Sequence, residues 1–318
     1  MIRKLPMRHL LSIALTTSAL ALAGCSSGGS GSDNGQAALA GSAAASAASG
    51  PTSAADQLGD GHIKLVYVEW ASCTAATNVV KAVLEQKGYT VDAVSVSGAA
   101  MYSALANNAA DATVCAWLPT THANYYARTK DKLDNLGPNM TGTKLGLVVP
   151  DYVSIDSIPE LTKHADQFKD RIVGIDPGAG EMGLTQDVIK QYKLPLKLVA
   201  GSGATMTAAL KSAIDNHQWI VVTGWTPHWM WARWKLKYLS DPKGIYGKGE
   251  NIDTLTRKGL QQDDPEAYAI LDAFHWTPDV MQEVMATSRK PGQDPASSAK
   301  QWVASHPDVV STWTGAAH

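Results

Sequence analysis

Trp70, Trp117 and Trp225 each close a short β-rich run, VYVEW, ATVCAW and VVTGW. Ligands of open α/β sheets bind beyond the carboxyl ends of the strands, so the three indoles are predicted to face one cleft. An indole face attracts positive charge through its quadrupole and tolerates methyl groups, which suits a cation with no hydrogen to donate; each contact contributes about 0.5–2 kcal/mol. Three such contacts fall short of the roughly 8 kcal/mol of a micromolar complex, so the ligand needs a second group that is also held. One strand-end Trp would ordinarily be packing between helices. Three at equivalent places point to a cage.

The segment RIVGIDPGAGEMG supplies a holder for an anion, because residues 178–183 lie between a strand and a helix start, where free backbone N–H groups and the helix dipole favour negative charge. The same residues spell Gly-x-Gly-x-x-Gly. A dinucleotide fingerprint would need an acidic residue at the end of the next strand, and LKLVA runs instead into Gly201, Ser202 and Gly203. His122, five residues past Trp117, is the second candidate carboxylate donor. His228 reads as structural, and Trp229, Trp231 and Trp234 as packing against the neighbouring lobe or hinge. No Ser/His/Asp or Cys/His constellation and no metal-ligand spacing stands out, so no catalytic residue, metal or cofactor is expected.

The elements that must position these residues alternate. β-rich runs at 63–70, 89–96 and 111–117 are separated by helical patterns near 75–87 and 99–109, and a second set has runs at 144–149, 171–176, 196–200 and 219–225 with helices from about 181 and over 203–216. The fold class is α/β, with parallel sheets in two lobes. The crossings between lobes are expected near 147–153 and 235–239, giving 62–148 with 236–318 as the first lobe and 149–235 as the second. Residues from about 260 read as helices returning to the first lobe. The composition, 45% apolar and 18% charged with a net charge of −2, can build a core and lacks the basic excess that nucleic-acid binding requires. Ten Trp and ten Tyr stand against two Phe, more indole than packing alone would select.

Residues 1–24 read as an export signal: a basic start (MIRKLPMRH), an apolar stretch shorter than a spanning helix, and Leu22-Ala23-Gly24-Cys25, which resembles a lipobox with Cys25 as the acylated residue. Loss of Arg3, Lys4 and Arg8 from 27 basic residues leaves 24 against 29 acidic ones, a formal −5. The Gly/Ser/Ala-rich residues 25–61 are a tether, about 30–36 Å in root-mean-square reach as a flexible coil. The folded part is therefore expected to be extracytoplasmic, anchored to a bacterial membrane by lipid.

VYVEW, DATVCAWLPTTH, TGTKLGLVVPDYV, GIDPGAGEM, VVTGWTPHWM and KYLSDPKG through RKGL together resemble the glycine betaine/proline betaine-binding lipoproteins of ABC osmoprotectant importers, over about 62–318. The resemblance implies the two-lobed (type II) periplasmic-binding-protein fold in the chain order that starts with the VEW lobe. It implies a trimethylammonium cage of Trp70, Trp117 and Trp225, with the ligand carboxylate on His122 and the amides of Gly180 and Glu181. The function implied is a monomeric, non-enzymatic receptor that delivers a betaine to an ABC permease; a receptor for choline, carnitine or another quaternary amine used in catabolism is the alternative. Two departures stand out. Glu181 replaces a usually apolar residue and would repel a ligand carboxylate unless its side chain points away. Cys73 and Cys115, in place of small or polar residues, form either a disulfide between neighbouring strand ends or two reduced, partly buried thiols.

Overall fold

The computed structural model describes residues 60–315; the expected signal peptide, Cys25 and nearly all of the tether lie outside the described residues. The chain begins with β1 (His62–Tyr67), α1 (Ala71–Gln86), β2 (Thr90–Ser95), α2 (Gly98–Ala106), β3 (Ala112–Leu118) and α3 (Ala123–Thr129). It continues through β4 (Leu133–Pro150), β5 (Arg171–Val173), α4 (Gly180–Tyr192), β6 (Lys197–Val199), α5 (Gly203–Asp215), β7 (Val222–Thr226), α6 (Met230–Arg233), β8 (Leu236–Tyr238) and β9 (Glu250–Arg257). Five helices close it: α7 (Leu260–Asp263), α8 (Pro265–Ala273), α9 (Pro278–Thr287), α10 (Pro295–Ser305) and α11 (Pro307–Thr314).

Strand order is β2-β1-β3-β9-β4-β7-β5-β6, with β8 added on β4. Every residue of β3 (ATVCAWL) is buried, as a strand covered on both faces requires. The expected parallel pairing holds for β1 with β2 and β3, and for β5 with β6 and β7. It fails in the middle, where β9 runs antiparallel between β3 and β4 and joins what would otherwise be two separate sheets. Its sequence, ENIDTLTR, hides it: Asp253, Thr254 and Thr256 are buried polar residues, so hydrophobic periodicity gives no signal.

β4 is shared by the two sheets. Residues from Leu133 to Thr143 pair with β9, and from Lys144 onward the same strand pairs with β7 and β8. The first passage between lobes is therefore at Thr143–Lys144, earlier than the expected 147–153. The return is later than 235–239, because β8 still pairs with β4 in the second sheet and pairing in the first resumes only at Glu250. The first half of β4 contains Gly137, Pro138 and Asn139, residues depleted in strands, and the pairing accommodates them by register shifts at Asn135/Gly137 and Pro138/Met140.

The closing helices start where the sequence marks them. Asp264, Thr277 and Asp294 each cap a helix whose first residue is proline, the side chain accepting a backbone N–H that has no helical partner. They pack on the first lobe: Tyr89 donates to Asp264 Oδ1 at 2.7 Å, and Lys300 pairs with Glu85 at 2.9 Å. No helix among the described residues is long and apolar enough to cross a membrane.

Candidate ligand-binding site

The structure brings Trp70, Trp117, Trp225, His122, Gly180 and Glu181 to the lining of one cavity between the two sheets. Each indole arrives on a different element. Trp70 is the N-cap of α1, Trp117 lies next to last in β3, and Trp225 lies in β7 opposite Leu145 of β4. All three are buried, and the Trp225 indole N–H has no protein partner.

His122 caps α3 and is buried. Its Nδ1 accepts the backbone N–H of Trp117 at 3.1 Å and lies 3.2 Å from the Tyr102 hydroxyl. A backbone amide can only donate, so Nδ1 carries the lone pair and Nε2 the proton. Burial pushes the ring pKa down to about 3, which makes it a neutral N–H donor across the ordinary pH range. The Trp70 ring, with its centroid 5.4 Å from that of the imidazole, holds it from the side.

Gly180 and Glu181 open α4, the helix whose start was read as an anion holder. Only glycine fits at 180. A Cβ there would lie 2.1 Å from the Thr121 carbonyl oxygen, because the two lobes touch at this point. The contact is reinforced across the cleft: Trp70 Nε1 donates to Asp176 Oδ2 at 2.8 Å, and the Tyr125 hydroxyl donates to the Gly178 carbonyl at 2.7 Å. The cleft is thus closed. Glu250 steadies its first-lobe rim, one carboxylate oxygen accepting the amides of Thr120 and Thr121 at 2.5 and 2.6 Å and the other the Thr121 hydroxyl.

Glu181 shows why a carboxyl can sit here. Its side chain is buried, and Oε1 and Oε2 have no hydrogen-bond partner. Burial raises its pKa to about 8, partly countered by the amides of Gly224 and Gly146, which approach without reaching hydrogen-bond geometry. At neutral pH it is mostly the neutral acid and does not repel an anion.

Cys73 and Cys115 are joined, with Cα atoms 5.3 Å apart, tying the first turn of α1 to β3. His228 is buried beside Trp225, its Nδ1 accepting the Met230 N–H at 3.1 Å and its ring meeting the indole edge-on at 4.7 Å. Trp231 donates to the Trp225 carbonyl at 2.8 Å, while Trp229 packs against Trp234 and takes the Arg289 guanidinium of the first lobe on its face at 4.6 Å. Sequence reasoning missed Asp176, Tyr125 and Ser72. Ser72 lines the cavity with a buried, unpartnered hydroxyl, and its signal was its place in the helix turn that Trp70 caps. Asp176 stands in GIDPG, where attention falls on the glycines.

Two α/β lobes linked through a shared β4 and closed over an aromatic cavity define the class of two-lobed substrate-binding proteins. Residues 61–305 match the substrate-binding domain of the ABC-type glycine betaine transport system, and the chain belongs to that family. It is 48% identical over 152 residues to the glycine betaine/carnitine transport binding protein GbuC of Listeria monocytogenes, a match spanning 47% of this chain and half of that relative's length. The crystal structure of lactococcal OpuAC, closed and complexed with glycine betaine, is 41% identical with a TM-score of 0.76, covering 80% of this chain and 99% of that one. ProX of Borrelia burgdorferi, a glycine betaine/L-proline-binding protein, is 40% identical with a TM-score of 0.77, covering 80% and 96%.

Proposed function

We propose that this protein is a non-enzymatic, extracytoplasmic receptor that captures glycine betaine or a related trimethylammonium carboxylate and delivers it to an ABC permease in osmoprotection. The observation that carries the reading is that residues suited to two chemistries line one cavity. Indoles from both lobes line the cavity and suit a quaternary cation, and the neutral His122 with the opening amides of α4 suits a carboxylate as N–H donors. In this reading the two amides are those of Gly180 and Glu181. Closure then follows from the ligand: it touches both lobes, so it stabilises the contacts of Trp70 with Asp176 and Tyr125 with Gly178. Acylated Cys25 holds a monomeric receptor at the membrane, and the tether gives it reach to the permease.

Calorimetric titration with glycine betaine, proline betaine, carnitine, choline and ectoine tests the ligand class. Tightest binding of a betaine is expected; choline binding as tight as glycine betaine would overturn the carboxylate subsite. Carnitine is the second ligand to rank, because the Listeria relative is described as a glycine betaine/carnitine binding protein. Labelling with a radioactive fatty acid, lost in Cys25→Ala, tests the anchor.

A further inference from the structure

We propose that the Glu181 side chain is a specificity-determining group, whose charge decides how strongly the cleft prefers a betaine over choline. This rests on the betaine reading of the cleft and deepens it. Glu181 lies in the first turn of α4, so its carboxyl stands within one side chain's reach of the amides assigned to the ligand carboxylate. The carboxyl is enclosed, with both oxygens unpartnered.

The groups that face it come from β4, β7, β8 and the segment leading into β9. Gly146 of β4 and Gly224 of β7 present amides. Tyr238 of β8 and Tyr246, which precedes β9, present phenols whose hydroxyls are engaged with Thr226 and Thr185, each at 2.8 Å. Glu250, at the start of β9, adds a like charge, and His122 across the cavity is neutral. Among the described residues no cation pairs with Glu181; Lys144 rests instead on the Tyr238 ring, 4.3 Å from its centroid.

Below about pH 8 the acid keeps its proton, and a betaine carboxylate meets a neutral dipole. Above that pH, the ionised side chain opposes the ligand carboxylate. The complex then holds its proton to higher pH than the free protein does, so betaine affinity falls as pH rises, by up to about tenfold per pH unit. Choline presents the same trimethylammonium head without a carboxylate, and the betaine-to-choline affinity ratio falls with pH. The ligands themselves do not titrate here, because a quaternary nitrogen holds no proton and the betaine carboxylate is ionised throughout.

The test is calorimetric titration of the wild-type protein, E181Q and E181M with both ligands from about pH 6.5 to about pH 9.5. Wild type is expected to lose about tenfold in betaine affinity across the range, with a falling ratio, while both variants stay level. A level wild-type profile with measurable betaine binding, or an equal fall in E181Q and E181M, overturns the proposal. Absence of betaine binding at every pH in all three proteins overturns the betaine reading and the proposal with it, a result distinct from a level profile.

Discussion

The Nδ1 of His122 is occupied by the Trp117 amide and only Nε2–H remains to donate, which in the proposed reading discriminates ligands by charge. His122→Ala is expected to cost about 1.5–3 kcal/mol in glycine betaine binding, the range for a charge-assisted hydrogen bond, and to leave choline binding almost unchanged. Equal losses for both ligands in calorimetry would refute that role. In the proposed reading the indoles hold the shared cation instead, so Trp225→Ala is expected to weaken both ligands by about 1 kcal/mol or more. Their convergence on one cavity was legible in the sequence because each stands at a strand end or a helix start. Asp176 was not, since its role depends on a Trp 106 positions away in the chain and exists only when the lobes meet.

Elements show a similar division. The βα units with apolar strands were readable from periodicity, whereas β9 and the first half of β4 were not, because the buried threonines of β9 and the glycine, proline and asparagine of β4 carry no alternating apolar signal. Contact between elements also constrains α4. Gly180→Ala would set a methyl group against the Thr121 carbonyl and hold the cleft open. Betaine affinity is expected to fall tenfold or more, and small-angle scattering should show no compaction on adding ligand. Gly203→Ala, where a Cβ meets nothing within 4 Å, is the control expected to bind normally. The bond between Cys73 and Cys115 fixes α1 to β3, and with them Trp70 and Trp117, which lie three and two residues away. Mass spectrometry after alkylation without reductant should find both cysteines unlabelled. Reduction should lower stability by about 4 kcal/mol, the loop-closure value for a separation of 42 residues.

At the scale of the molecule, three buried titratable groups shape stability against pH. His122 and His228 have folded pKa values near 3, below that of the unfolded chain, so the unfolded state binds more protons and stability falls as pH drops below about 6.5. Glu181 acts in the opposite sense, holding its proton to about 8 in the fold and contributing stability that is lost as pH rises from its unfolded value. Between about pH 4.5 and about pH 6.5 two histidines oppose one glutamate, and above that the glutamate acts alone. Urea denaturation is therefore expected to show a maximum near pH 6.5, with a slope of about 1.4 kcal/mol per pH unit on each side and the alkaline fall missing in E181Q. The insertion of β9 between β3 and β4 also governs how the chain can be made. A chain that emerges amino end first completes β1, β2 and β3 while the partner for the free edge of β3 lies more than 130 residues downstream. The second lobe can close on itself before that strand arrives, but the first lobe cannot, and its ordering depends on one of the longest-range pairings in the fold, the kind that slows folding most. Trp70 and Trp117, with His122, are consequently positioned last, so a chain cut short before Glu250 keeps Trp225 and the start of α4 in a closed second lobe and has no complete cleft.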